Sequence, residues 1–286
     1  MPERLFTLQG SGNNQAKVYL DYPNKRLKVT ASQGDKPYVL DAEIKNLARR
    51  EGLTKILWLL RPEEAPPLLA AGYIIEGRFA SYLRGQPALW LSYFMTPERR
   101  RPLRLAEEEL ILWRTEKKRL QQEVPELPPP FYLKKVLPEE APQLARLYGA
   151  TFVSYPTPVT EVDYLYQSMA ADTVYMAVFN GDGLVSAASG VMDKDNLAAE
   201  ISDCATRPEY RGHGLMRILI KALETELRAK GITTFFSLAR ALSPGMNSAL
   251  YQSGYTFRGR FINNCHICGQ FEDMNLWTRE ELTEGL

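Results

Sequence analysis

Thr206-Arg-Pro-Glu-Tyr-Arg211-Gly-His-Gly-Leu-Met216 is the stretch whose reading organises the rest of the chain. It follows a strand-like run, Ala198 to Ala205, and opens a helical segment with Leu215, Ile218, Leu219, Ala222, Leu223 and Leu227 on one face. The first N–H groups of a helix have no partners inside it, and the helix dipole adds partial positive charge at that end. Gly212 and Gly214 put no side chain between a bulky anion and the main chain. Strand, glycine-bearing loop and helix start together predict a pyrophosphate-binding loop.

Outward from the loop, composition narrows the class. The chain has 286 residues, 45% hydrophobic and 24% charged, which suits a folded globular protein of two domains. Its formal charge of +1 recommends neither nucleic acid nor membrane as a partner. Met1-Pro-Glu-Arg-Leu-Phe lacks a basic end followed by an apolar core, so no signal peptide is expected, and no apolar run approaches a membrane span. Three cysteines argue against a disulfide scaffold and for a cytoplasmic location. A homodimer is an allowed assembly.

The elements before the loop read as an antiparallel meander turning at Asn180-Gly-Asp-Gly183. After it come a strand at Thr233–Leu238, a helix capped by Ser243-Pro-Gly, and two closing strands. The first half repeats this order of helix, strand, helix and two strands. Ala71-Gly-Tyr-Ile-Ile-Glu-Gly-Arg-Phe79 matches Ser253-Gly-Tyr-Thr-Phe-Arg-Gly-Arg-Phe261 at Gly-Tyr and Gly-Arg-Phe. We read a degenerate internal duplication whose first copy lacks the Arg211 loop and serves as scaffold or as a wall of the substrate pocket. Residues 1–96 form that first domain. Residues 97–130 are a helical joint ending in Pro125 and Pro128-Pro-Pro130, and 131–286 form the second domain. The basic cluster Arg99-Arg-Arg-Pro-Leu-Arg104 reads as a solvated face paired with the nearby glutamates.

These motifs, in this order, resemble the GCN5-related N-acetyltransferases. Arg211-Gly-His-Gly214-Leu-Met216 is similar to the family's Arg/Gln-x-x-Gly-x-Gly/Ala loop, with Met216 in place of the small last residue. Asn247 and Tyr251 match an Asn and a Tyr near the helix after the fifth strand. Ala199-Glu-Ile-x-x-Cys-Ala205 resembles the histone-acetyltransferase stretch that carries a general-base glutamate. Further stretches, among them Ser237-Leu-Ala-Arg-Ala-Leu, Asn263-Asn-Cys and Glu272-Asp-Met-Asn-Leu-Trp277, resemble the bacterial beta-lysine N6-acetyltransferases. Those enzymes act beside a lysine 2,3-aminomutase to make a compatible solute.

The resemblance implies a mixed, mostly antiparallel central sheet flanked by helices, an α+β acetyltransferase fold, with the first copy as a degenerate half. It implies acetyl-CoA as cosubstrate, no metal, and direct transfer to the N6 amine of beta-lysine, a small-molecule diamine. Glu200 would be the base and Tyr251 the acid for the departing thiolate. Cys204, Ala205 and Thr206 would meet pantetheine, and Arg211, Gly212, His213, Gly214, Leu215 and Met216 the pyrophosphate. Asn247 would contact the cofactor, with helix capping as its other reading. Asp203 would hold an ammonium if a strand bulge turned it to Glu200's side, and Arg240 would meet the substrate carboxylate. Other acceptors (a polyamine, lysine or a peptide) and a non-catalytic acyl-CoA sensor are the rival readings. Cys265-His-Ile-Cys268 has metal-like spacing, but positions three apart on a strand face opposite sides. Small buried cysteine, rather than an acylated nucleophile, is the default for Cys204.

Overall fold

The computed structural model describes residues 4–280 apart from 35, 121, 122, 182 and 268. Asp182 of the predicted turn and Cys268 of the Cys-x-x-Cys run thus lie outside the described residues.

In the first half, β1 (Arg4–Gln9), β2 (Gln15–Asp21), β3 (Arg26–Gln33), β4 (Lys55–Leu60), β5 (Ile74–Leu83) and β6 (Gln86–Phe94) form one sheet in the order β1-β2-β3-β4-β6-β5. Only β3 and β4 run parallel, linked through α1 (Asp41–Arg50). α2 (Ala65–Ala70) leads from β4 to β5. Every residue of Lys-Ile-Leu-Trp-Leu-Leu in β4 is buried, as expected of a central strand covered on both faces. One face, with Val18, Leu27, Val29, Ile56 and Trp58, packs against Ile44, Leu47 and Ala48 of α1. β1, in which Phe6 and Leu8 pack on the core and Leu5, Thr7 and Gln9 are exposed, was not foreseen from the sequence; it pairs with β2.

The joint holds two helices, α3 (Pro97–Arg100) and α4 (Leu105–Glu116). The second half follows with β7 (Phe131–Lys135), α5 (Ala141–Thr151), α6 (Val162–Ala170), β8 (Thr173–Asn180), β9 (Gly183–Asp193), β10 (Ala198–Thr206), α7 (Leu215–Arg228), β11 (Thr234–Arg240), α8 (Pro244–Gln252), β12 (Thr256–Ile267) and β13 (Gln270–Glu280). Its sheet runs β12-β13-β11-β10-β9-β8-β7, with β10 and β11 the parallel pair. α7 lays Leu215, Leu219, Leu223 and Leu227 on Val178, Val185, Ala188, Ala199 and Ile201. α5 and α6 cover the opposite face near β8 and β9.

The rest of that opposite face meets the first sheet. Leu57, Leu59 and Phe79 of one half pack with Ala198, Phe236, Phe261 and Leu276 of the other. Duplication is visible in the strand register. β5 slips against β6 between Ile75 and Gly77 and between Phe79 and Leu83. β12 slips against β13 between Phe257 and Gly259 and between Phe261 and Cys265, the same two bulges at a constant offset. The two bulged strands cross so closely that a Cβ on Gly259 would sit 2.0 Å from the Glu76 carbonyl oxygen. The backbone groups freed at each bulge are bonded by the other half. Glu76 accepts from Ile262 N at 2.7 Å and Lys55 Nζ donates to Ile262 O at 2.8 Å, while Lys55 and Glu76 pair at 2.6 Å. Reciprocally, Glu280 accepts from Ala80 N and Thr234 Oγ1 donates to Ser81 O. Among the described residues, no helix is long and apolar enough to cross a membrane.

Candidate active site

β10 and β11 pair only over Ala198–Glu200 and Thr234–Phe236. β11 then follows β13 to Arg240, and β10 follows β9, so the parallel seam opens beyond Glu200. Parallel strands that part leave main-chain donors and acceptors facing the gap. A cleft of about 880 Å³ lies there, walled by Ile201–Cys204 and Thr206 on one side and Ser237–Arg240 on the other. Its mouth is formed by the Arg211 loop and the start of α8.

A bulge in β10 shapes the inner end. The register with β9 shifts between Ser202 and Ala205, and Asp203 takes φ +49. Left-handed backbone at a non-glycine residue costs energy and marks a position held by its surroundings. Ser189 donates to Asp203 Oδ2 at 2.7 Å, and Tyr155 also bonds this carboxylate. Burial nevertheless pushes the Asp203 carboxyl above the usual range, against those two hydrogen bonds. Glu200 pairs with Phe236 and so faces the first sheet. Its carboxyl is raised by burial first; Lys28 and Arg26 pull it down, and Asp203 pushes it up. Glu200 and Asp203 therefore act on each other electrostatically, but only Asp203 stands on the cleft wall.

At the mouth, Arg211 Nε donates to Thr206 O at 3.2 Å. Gly212 and Gly214 take φ +86 and +72, so both glycines are required by the backbone. Gly214 is the N-cap of α7, whose first turn carries no acidic residue. The joint crosses here: a Cβ on Gly214 would meet Pro125 Cγ at 2.8 Å, and Arg217 Nη2 donates to Glu123 O at 2.8 Å. Leu215 and Met216 touch the cleft, Leu215 while buried in the core and Met216 half-buried. His213 is exposed beside Phe131, ring centroids 6.3 Å apart, and is absent from the cleft wall.

The remaining candidates divide by what holds them. Cys204 lines the cleft, and burial pushes its thiol well up, the opposite of an activated nucleophile. Ala205 is buried against α5, leaving only its main chain for contact; its carbonyl accepts from Ser186, whose hydroxyl also meets Thr206 Oγ1 at 2.7 Å. Asn247 is fully buried, donating to Arg240 O and Ser243 O and accepting from Asn275 and Trp277. It ties the end of β11 to α8 and β13 and does not reach the cleft. Tyr251 donates to Glu116 O at 3.0 Å and lies edge-on to Trp277; its neighbours Ser248, Ala249 and Gln252 line the cleft. Arg240 is the last residue of β11, on the cleft wall, paired with Glu272 at 3.2 Å.

Tyr155, Ile267 and Met274 complete the inner end and escaped the sequence reading, since nothing local in their segments marks them. Among the described residues, no three His, Cys, Asp or Glu side chains are grouped to hold a metal. Cys265 is buried with Arg26 Nη1 3.5 Å from its sulfur.

Residues 141–255 match the acetyltransferase (GNAT) family. The N-acetyltransferase YodP of Bacillus subtilis (strain 168) is 37% identical over 261 residues, 90% of this chain and 93% of its own. A beta-lysine N(6)-acetyltransferase of Methanosarcina mazei is 33% identical over 256 residues, 82% of this chain and 94% of its own. Another so named, from Methanococcus maripaludis, is 31% identical over 208 residues, 72% and 75% of the two chains.

Proposed function

This chain belongs to the acetyltransferase (GNAT) family, as an acetyl-CoA-dependent N-acetyltransferase, and from that premise we propose that its acceptor is the N6 amine of beta-lysine. The names of the Methanosarcina and Methanococcus relatives support the substrate. The observation that carries the reading is Asp203, its carboxyl raised by burial on the wall of a cleft whose mouth is a bare helix start, with the Glu200 carboxyl, also raised by burial, behind that wall. A diamine needs two such groups, one to take a proton and one to hold the second ammonium.

Acetyl-CoA fits the cleft by chemistry. The Arg211–Met216 loop offers main-chain N–H groups and a helix dipole to the pyrophosphate. The parted edge of β10 at Cys204–Thr206 offers donors and acceptors to pantetheine and to the carbonyl oxygen. When bound, the thioester supplies an activated acetyl group. The protein's task is then the amine, whose pKa near ~10.4 leaves about one molecule in a few thousand nucleophilic at pH 7. Glu200, directly or through water, removes the proton, and burial raises its carboxyl in the direction a base for an ammonium needs. Asp203 holds the other ammonium. Tyr251 delivers a proton to the leaving sulfur after releasing Glu116, and Asn247 supports the cofactor by holding the β11–α8 corner. A second assignment exchanges the two carboxylates, and Asp203's place on the cleft wall favours it. Residues 131–286 are the catalytic unit, 97–130 the joint, and 1–96 a wall of the substrate site.

Acetyl-CoA with beta-lysine, alpha-lysine and spermidine, compared by thiol release, tests the acceptor. Beta-lysine should lead, and equal or absent turnover of it sinks the reading. Loss of the base should lower kcat by roughly 10²–10⁴-fold and remove the acid limb of the pH–rate profile. Glu200→Gln doing so supports the first assignment; Asp203→Asn doing so, with Glu200→Gln raising only KM, supports the exchange.

A further inference from the structure

The face between the two sheets is rich in cations, and almost all of them are taken. Arg26 holds Asp21 at 2.6 Å and donates to Asn264 O. Lys55 holds Glu76 and Ile262 O, Arg99 bonds Asn24 O and Thr54 Oγ1, and Arg240 holds Glu272. Lys28 differs. Among the described residues its ammonium makes no hydrogen bond; the nearest carboxylate oxygen, on Asp21, is 4.0 Å away and already serves Arg26 and Asn24. A tyrosine ring, that of Tyr19, lies 5.5 Å from the nitrogen.

Pairing fixes where Lys28 points. On β3 it stands beside Leu57 of β4, and Leu57 belongs to the apolar cluster shared with Ala198, Phe236 and Leu238. Glu200, two residues beyond Ala198 and opposite Phe236, looks back from the second sheet. Of all opposite charges, Lys28 acts most strongly on Glu200. Burial, then Arg26, holds its ammonium below the usual lysine range, while Asp21 and Glu200 pull it the other way. The side chain keeps 29% of its surface exposed, although Lys28 is not itself on the cleft wall.

We propose that Lys28, from the first half, binds the carboxylate of the acceptor, and that the acceptor is therefore a diamino acid and not a polyamine. This rests on the reading of the cleft as an amine-acetylating site but not on which diamino acid is used. A diamino acid presents an ammonium to the Glu200–Asp203 pair and a carboxylate to Lys28. A polyamine would instead bring a further positive charge against an ammonium whose ion pair, to Asp21, spans 4.0 Å and is shared with Arg26. The assignment holds whichever of Glu200 and Asp203 is the base.

The test uses acceptors in matched pairs, each an amino acid and its decarboxylated counterpart: beta-lysine with 1,4-diaminopentane, and lysine with cadaverine. Full-length wild type, Lys28→Met and Lys28→Arg are compared by kcat/KM. One charge-assisted contact predicts a preference of about 10- to 100-fold for the acid in wild type. Lys28→Met should erase it through KM for the acid while sparing or improving the diamine, and Lys28→Arg should keep part of it. A ratio taken within one variant is unaffected by a partly unfolded sample. An unchanged ratio in Lys28→Met overturns the proposal, as does a fall of both partners together or a mere shift of both pH profiles. Wild type using diamines as well as acids overturns it too. Lysine used with the expected ratio while beta-lysine fails removes only the acceptor's identity, and no turnover of any of the four removes both readings.

Discussion

α1 and α7 occupy the same place in two copies of one topology, after the first strand of a parallel pair, yet only the first turn of α1 carries acid. α1 opens with Asp41 and Glu43. Asp41 is engaged by Lys45 at 2.8 Å and by the Tyr73 hydroxyl at 2.8 Å, so the positive end of this helix is neutralised from within. α7 opens with none, behind two left-handed glycines. The strands differ as well. β3 and β4 pair at four positions, Arg26–Lys55 to Val29–Trp58, and Leu59 and Leu60 are buried in the core beyond them. β10 and β11 part after three pairs. In one copy the space beyond the seam is filled and the helix start carries acid; in the other the seam opens on the cleft and the helix start is bare.

The two copies should nevertheless unfold as one body, because each bonds the other's bulge. Lys55→Met strands Glu76 in the interface and should cost about 3–5 kcal/mol, read as the shift of a single urea transition. Two separate transitions would break the idea of interlocked halves. Next in size, Met216→Glu gives α7 the acid that α1 has. KM for acetyl-CoA should rise by about 100-fold with little change in thermal midpoint, while Asp41→Asn in α1 leaves that KM alone. Equal KM in Met216→Glu and wild type would remove the charge contrast as the explanation.

The smallest effect concerns the joint. α4 packs against α8, and Arg260 of β12 reaches Glu108 and Glu109 of α4. Burial first, then Asp273, raises the Glu108 carboxyl to about 7. The folded state then keeps a proton that the unfolded chain releases, so this stabilisation is complete below the unfolded value and is lost as pH rises through 7. Between pH 5 and 8, wild type should lose roughly 1–2 kcal/mol more than Glu108→Gln in urea titrations. Parallel pH curves would show that Glu108 does not titrate there.

What the sequence disclosed follows how local each cause is. Gly212 and Gly214, the α7 stripe and Ser243 as a helix cap each act within a turn of themselves, and all are found. The paired Gly-Tyr and Gly-Arg-Phe runs pointed to the duplication because they sit where β5 and β12 bulge. Asn247 resisted, since Asn275 and Trp277, which settle its role as a strut, lie 28 and 30 residues on. Lys28 was invisible for a similar reason: its neighbour Glu200 belongs to another sheet, and no spacing within one strand announces a register between two.

The bulge in β12 carries one more consequence. β12 is the last strand of its sheet, and side chains from the first half, not another strand, occupy its free main-chain groups. Cut away at residue 131, the second half would present a raw edge there and would also lose Lys118 from the cleft and the Glu123 contact to Arg217 at the helix start. The first half thus covers a strand edge that the second half leaves without a neighbouring strand.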